Sequence, residues 1–228
     1  MGRDMHVLIT GASGMVGQAA LVACRQDPRV VGVTALVRTP LGIAGGKVRQ
    51  CLCPDLFHLE TVADQLGVPD ACLFCAGVSA VGMPEADYRR ATYDLTLAVA
   101  TVLVGLNPAM RFLYVSGLGT DSTERGRSMW ARVKGSTENA VAKLGFAGVA
   151  LFRPGYIQPL NGVRSKVAWY NGVYAVLKPV YPLLRHVAGR YATDTDTLGR
   201  AMLAAVQPDA PTGIYTSADI NRIGARAT

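Results

Sequence analysis

Glycines recur at positions 11, 14 and 17, directly behind the apolar run His6-Val7-Leu8-Ile9-Thr10. A helical pattern follows them through Cys24. No other feature of the 228 residues constrains the fold as much. It reads as a first strand, a tight turn and a helix N-terminus. Gly11 supplies the turn, Gly14 lets backbone approach a pyrophosphate, and Gly17 lets the helix pack closely. Exposed N–H groups and the helix dipole at such a terminus attract phosphate. The backbone of Gly11, Ala12, Ser13, Gly14, Met15 and Val16 is therefore the candidate cradle for a dinucleotide. A bare strand–helix turn with no ligand is the simpler alternative.

Strand and helix patterns alternate beyond this point. A β-branched run at 30–37 ends at Arg38, roughly 20 residues past the last motif glycine, where dinucleotide sites carry their ribose contact. A carboxylate there would accept from the ribose 2′-OH of NAD, whereas a guanidinium pairs with the 2′-phosphate of NADP. Arg38 argues for NADP(H) in preference to NAD(H). A glycine-rich link at 41–46 leads to a short strand at 48–52. Asp55 and Leu56 follow. The Asp55 carboxylate either accepts from the adenine amine or caps a helix at 59–66. Residues 71–75 form a continuous apolar strand, and Cys75, Ala76 and Gly77 offer small side chains for close cofactor approach. A long helix is predicted over 85–106. A fifth strand at 111–115 delivers Ser116 at its C-terminal end, where ligands bind in open α/β sheets. The polar loop 117–127 is long enough to act as a lid. A helix at 129–144, a strand at 148–152 and the break Arg153-Pro154-Gly155 come next. Further on, 163–184 carries Trp169, Tyr170, Tyr174 and Tyr181 among aliphatics. It is too short and interrupted to span a bilayer. A helix over 193–205, starting at Thr193 or Asp194, and a short strand at 213–217 close the chain. The expected fold class is α/β, a Rossmann-type doubly wound, mostly parallel sheet with helices on both faces. Residues 1–228 read as one dinucleotide-binding domain, with 156–192 as the segment covering the substrate pocket.

Composition narrows the function classes. The net charge is +7, but its arginines, among them Arg25, Arg49, Arg89, Arg111 and Arg132, are dispersed rather than clustered. A dispersed excess argues against a nucleic-acid footprint. No signal-peptide layout or long apolar span is evident, so a cytoplasmic protein with no stable membrane insertion is expected. Five cysteines lie mostly in apolar runs. Cys72 and Cys75 match a C-x-x-C spacing, yet within a buried strand they read as small hydrophobes. With only His6, His58 and His186 as histidines, no metal site is expected.

The stretch Thr10-Gly11-Ala12-Ser13-Gly14-Met15-Val16-Gly17 resembles the TGxxGxxG fingerprint of the short-chain dehydrogenase/reductase superfamily. Leu36-Val37-Arg38, Asp55-Leu56, Cys75-Ala76-Gly77, Tyr114-Val115-Ser116, Val133-Lys134-Gly135 and Arg153-Pro154-Gly155 continue the resemblance along nearly the whole chain. It is similar to the atypical, Tat-interacting-protein-like and epimerase-like members. The resemblance implies NAD(P) binding, with Lys134 on the nicotinamide ribose and Pro154 beside the cofactor. It also implies a homodimer. In that superfamily a serine polarises a carbonyl, a tyrosine exchanges the proton, and a lysine one helical turn later lowers the tyrosine pKa. Ser116 and Lys134 match. The tyrosine position holds Trp130, whose indole has no acid–base chemistry near neutral pH. Tyr156 is the replacement suggested by loop position; Tyr114 shares a strand face with Ser116 but lies deeper. Two functions stay open. One is an oxidoreductase or epimerase/dehydratase-like enzyme with an altered proton donor, acting on an unknown small molecule. The other is a non-catalytic NADP(H)-binding sensor or regulatory protein.

Overall fold

The computed structural model describes residues 4–42, 45–160 and 191–226. Seven strands form one parallel sheet: β1 (Met5–Thr10), β2 (Val30–Val37), β3 (Val48–Leu52), β4 (Ala71–Phe74), β5 (Arg111–Val115), β6 (Gly148–Arg153) and β9 (Gly213–Thr216). Their order is β3-β2-β1-β4-β5-β6-β9. The chain winds outward from β1 to β3, returns to β4 on the other side of β1, and then winds the opposite way. A crevice opens where the direction reverses, beyond the carboxyl ends of β1 and β4. The Rossmann-type α/β expectation holds.

Strand periodicity of two divides the apolar residues between two cores. Val7, Ile9, Val33, Leu73 and Phe152 face one layer, formed by α1 (Met15–Gln26), α6 (Thr195–Ala205) and α7 (Ser217–Arg226). Leu8, Leu36, Phe74, Phe112 and Tyr114 face the other, which includes α4 (Leu95–Leu106) and α5 (Met129–Val141). Cys72 belongs to the second core and Cys75 packs against the first, so the two thiols of the C-x-x-C spacing point to opposite faces.

Several elements differ from their sequence expectations. The helix expected at 59–66 is a 3₁₀ turn, Leu56–Val62, followed by the short α2 (Ala63–Leu66). His58 is not helical there, and the Thr61 hydroxyl takes its carbonyl as an acceptor at 2.7 Å. The helix at 85–106 is broken into α3 (Glu85–Arg89), a π-helical stretch (Arg90–Asp94) and α4. Of the two starts expected for the helix at 193–205, Asp194 is the cap: it accepts from the Thr197 N–H at 2.7 Å, and the helix runs from Thr195. The preceding residues form β8 (Ala192–Asp194), which pairs in parallel with β7 (Tyr156–Gln158). This two-stranded ribbon pins both ends of the 156–192 segment. Within that segment 161–190, with the aromatic stretch 163–184 and His186, lies outside the described residues.

The loop 117–127 is not built as a free lid. The Asp121 carboxylate accepts from the N–H groups of Thr123 and Gly126 and from the Thr123 hydroxyl. Arg132 donates to the carbonyls of Gly126 and Arg127, and Asn139 to the Ser122 carbonyl and the Glu124 carboxylate. These bonds fasten the loop to α5 along most of its length.

Candidate active site at the crest of the sheet

The first βα turn is organised as its glycines require. Gly11 has φ +68°, and a Cβ on it would lie 2.7 Å from the Cys75 and Ala76 backbone. The turn therefore sits directly on the end of β4. The Ala76 N–H adds a bond to the Thr10 hydroxyl at 3.2 Å. Gly17 packs on the turn rather than on the sheet, since its Cβ would come within 2.2 Å of the Gly11 carbonyl oxygen. Gly14 precedes the first turn of α1, which no side chain caps and which holds no acidic residue.

Beside this turn lies a cavity of about 540 Å³. Val16 closes one side. Cys75, Ala76 and Gly77 come from the end of β4, Ser116 from the end of β5, Trp130 and Lys134 from α5, and Pro154 and Tyr156 from beyond β6. Strand ends that the sequence scatters over 80 residues thus meet in one wall. Val78, Leu118 and Ile157, not singled out in the sequence, add apolar surface. Arg38 stands exposed just past the end of β2.

Three residues named from the sequence have defined partners or surroundings in the fold. The Asp55 carboxylate accepts from the Phe57 N–H at 3.0 Å and so caps the 3₁₀ helix, one of the two roles open to it in the sequence. The Leu56 side chain is buried in the core and leaves only backbone for any ligand. Tyr114 is buried in the core, as expected.

A buried charge cluster missed by the sequence reading lies under the cavity. Glu138, 1% exposed, follows Lys134 by one helical turn. The Ser116 hydroxyl donates to its carboxylate at 2.5 Å, with the Phe152 carbonyl as a second acceptor at 3.1 Å. Arg153 clasps the same carboxylate through Nε and Nη2, and its Nη2 also donates to the Ser122 hydroxyl at 2.5 Å. Ser116 has one hydroxyl proton, and it is directed inward. What it presents to the cavity is lone pairs, not the donor that would polarise a carbonyl. The Lys134 ammonium donates to the Ser116 carbonyl, and burial pushes its pKa down to about 8, against a smaller upward pull from Glu138. Burial also pushes the Cys75 thiol far up. The Tyr156 hydroxyl donates to the Gln158 side-chain oxygen at 2.7 Å. The i, i+4 spacing of Lys134 and Glu138 was the available signal for this cluster.

No family model matches the chain. Over 123 residues it is 32% identical to leucinostatins biosynthesis cluster protein T of Purpureocillium lilacinum, a match covering 52% of this chain and 45% of that protein. The chain thus matches less than half the length of that relative. It is 25% identical to protein fmp52, mitochondrial, of Aspergillus clavatus over 97% of this chain and 99% of that one. Among solved structures, uronate dehydrogenase from Agrobacterium tumefaciens superposes with a TM-score of 0.65 at 18% identity, covering 92% of this chain and 75% of that chain. The Bordetella bronchiseptica enzyme WbmF in complex with NAD+ gives 0.66 at 14%, covering 96% and 77%. UDP-glucose 4-epimerase from Thermotoga maritima gives 0.63 at 16%, covering 88% and 73%. The fold is that of these dehydrogenases and epimerases. At such identities the likeness speaks for architecture alone, and the chemistry has to be argued from the site.

Proposed function

We propose that the chain binds NADP(H) across the crest of its sheet and acts as an oxidoreductase or epimerase/dehydratase-like enzyme. In this reading it is an atypical short-chain dehydrogenase/reductase with Trp130 in place of the usual tyrosine. The observation that carries the reading is the uncapped N-terminus of α1, behind a positive-φ glycine turn, opening beside a cavity lined by Lys134.

The residues present fit such a cofactor. A Cβ on Gly77 would meet no atom within 4 Å, and one on Gly14 only the Gly11 oxygen at 3.4 Å, so both backbones border open space. The free N–H groups of the first helical turn suit a diphosphate, and the absence of an acidic residue there removes the main repulsion. Arg38 lies where a 2′-phosphate would be recognised. When bound, a nicotinamide dinucleotide supplies hydride transfer. The chain's part is then to hold the ribose with Lys134 and to exclude water with the apolar wall of Val16, Val115, Leu118 and Ile157.

Calorimetry on wild type and Arg38→Glu tests this reading. A guanidinium–phosphate interaction contributes about 1.5–3 kcal/mol. Arg38→Glu is therefore expected to weaken NADPH binding by roughly tenfold to a hundredfold while sparing or improving NADH binding. Equal effects on both cofactors, or no heat with either, would sink the assignment.

One observation favours a second reading, a non-catalytic NADP(H) sensor. The Ser116 proton is committed to Glu138, and Trp130 offers no proton to exchange. Tight cofactor binding with no turnover, coupled to a change in affinity for a partner protein, would select it.

A further inference from the structure

We propose that Lys134 itself, rather than a tyrosine, exchanges the proton with the carbonyl oxygen of the substrate. The proposal rests on the cofactor-binding reading above and assigns its missing acid–base group.

Elimination within the cavity wall leads to this assignment. Trp130, one helical turn before Lys134, has an indole N–H and nothing to titrate. Among the described residues the titratable side chains lining the cavity are Cys75, Lys134 and Tyr156. The Tyr156 hydroxyl is engaged as a donor to the Gln158 side-chain oxygen, and Tyr114 is buried in the core. The Cys75 thiol is held far above the range in which it exchanges protons near neutrality. Among the described residues, Lys134 alone places a titratable group on the cavity wall with N–H bonds to spare. One of its three is taken by the Ser116 carbonyl, which fixes the head group.

The surroundings set its ionisation. On α5, Glu138 is one turn away, but its carboxylate is clasped by Arg153 from β6 and by the Ser116 hydroxyl at the end of β5. On α3, Glu85 pairs with Arg132 at 2.8 Å and is spent there. Burial keeps the Cys75 thiol beyond β4 protonated, so it adds no charge. Little free negative charge offsets the burial of the ammonium. This is why its pKa falls to about 8, close to where a general acid works best.

The step balances simply. In the reducing direction a bound nicotinamide would supply hydride, its C–H bond breaking as one forms at the carbonyl carbon; the C=O π pair would move to oxygen, and that oxygen takes a proton from Nζ. One N–H bond breaks and one O–H bond forms, and water at the cavity mouth reprotonates the neutral amine. Oxidation runs the same transfers in reverse and needs the amine neutral.

The test uses the full chain labelled with ¹³C at lysine Cε, a manageable spectrum with five lysines. One resonance should titrate near pH 8 and vanish in Lys134→Arg. NADPH-dependent reduction of 9,10-phenanthrenequinone, the probe carbonyl, should be flat below pH 8 and fall tenfold per unit above it. Lys134→Arg keeps the positive charge but cannot release a proton. Its NADPH affinity is measured separately, because Lys134 also holds the ribose; at saturating NADPH the variant should lose on the order of a hundredfold or more in turnover. Retained turnover in Lys134→Arg, a pH profile without that limb, or no lysine titrating below pH 9.5 overturns the proposal. Wild type that binds NADPH without reducing the quinone also overturns it, and leaves cofactor binding standing. Failure to bind NADPH or NADH at all is the separate failure of the underlying reading. If Lys134→Arg does not fold, the wild-type titration and pH limb decide.

Discussion

Lys134 bears on stability as well as on chemistry. Its ammonium is held at about 8 in the fold, against 10.5 for an ordinary lysine. Between those values the unfolded chain binds the proton that the folded chain has released. Stability therefore rises with pH across that window, and below it the buried charge is a constant penalty. Lys134→Met removes the charge and keeps most of the stem. It is expected to raise the urea midpoint at pH 7, with the gain shrinking as pH approaches 10.5; a pH-independent difference would contradict this. Ser116, Trp130, Lys134 and Tyr156 were all legible as neighbours, because strand ends and helical spacing place them at one level of the sheet. The Glu138–Arg153 pair was not. The two lie 15 residues apart, and only the packing of α5 over β6 makes them partners.

At the scale of elements, the loop 117–127 shows how length misleads. Eleven residues between a strand and a helix suggest mobility, yet side chains of α5 and β6 hold the carbonyls and hydroxyls of the loop. Gly135 is the contact that permits this docking. A Cβ there would lie 1.8 Å from the Asp121 carbonyl oxygen, a backbone atom that cannot step aside. Gly135→Ala should therefore lift the loop off α5 at a cost of about 1–3 kcal/mol, read as a lower urea midpoint and faster proteolysis within 117–127. Unchanged proteolysis would mean the loop is held by other contacts. The helix starts were easier to foresee. Asp55 and Asp194 both precede helical turns and both cap them, as their residue type predicts. The β7–β8 ribbon was not foreseen, since a three-residue strand leaves too little periodicity to detect.

For the molecule as a whole, the reversal of strand order between β1 and β4 is what makes one ligand site out of distant segments. A dinucleotide lying there would touch both halves of the sheet and hence the whole cooperative unit. A ligand that binds only the folded state stabilises it by about 2.7 kcal/mol at a hundred times its Kd. For a chain of this size that corresponds to a rise in Tm of roughly 5–10 °C. Thermal melts with NADPH should show this shift, and a smaller one with NADH at equal concentration. The sequence alone determined the alternation of strands and helices, the glycine turn and the residue types delivered to the strand ends. These depend on periodicity and on local backbone chemistry, which act over a few neighbours. Only the tertiary structure decided where the Ser116 proton points, how a buried carboxylate and guanidinium are paired beneath it, and how far the ammonium at 134 is removed from water. Those depend on burial and on contacts between elements, which no local pattern records.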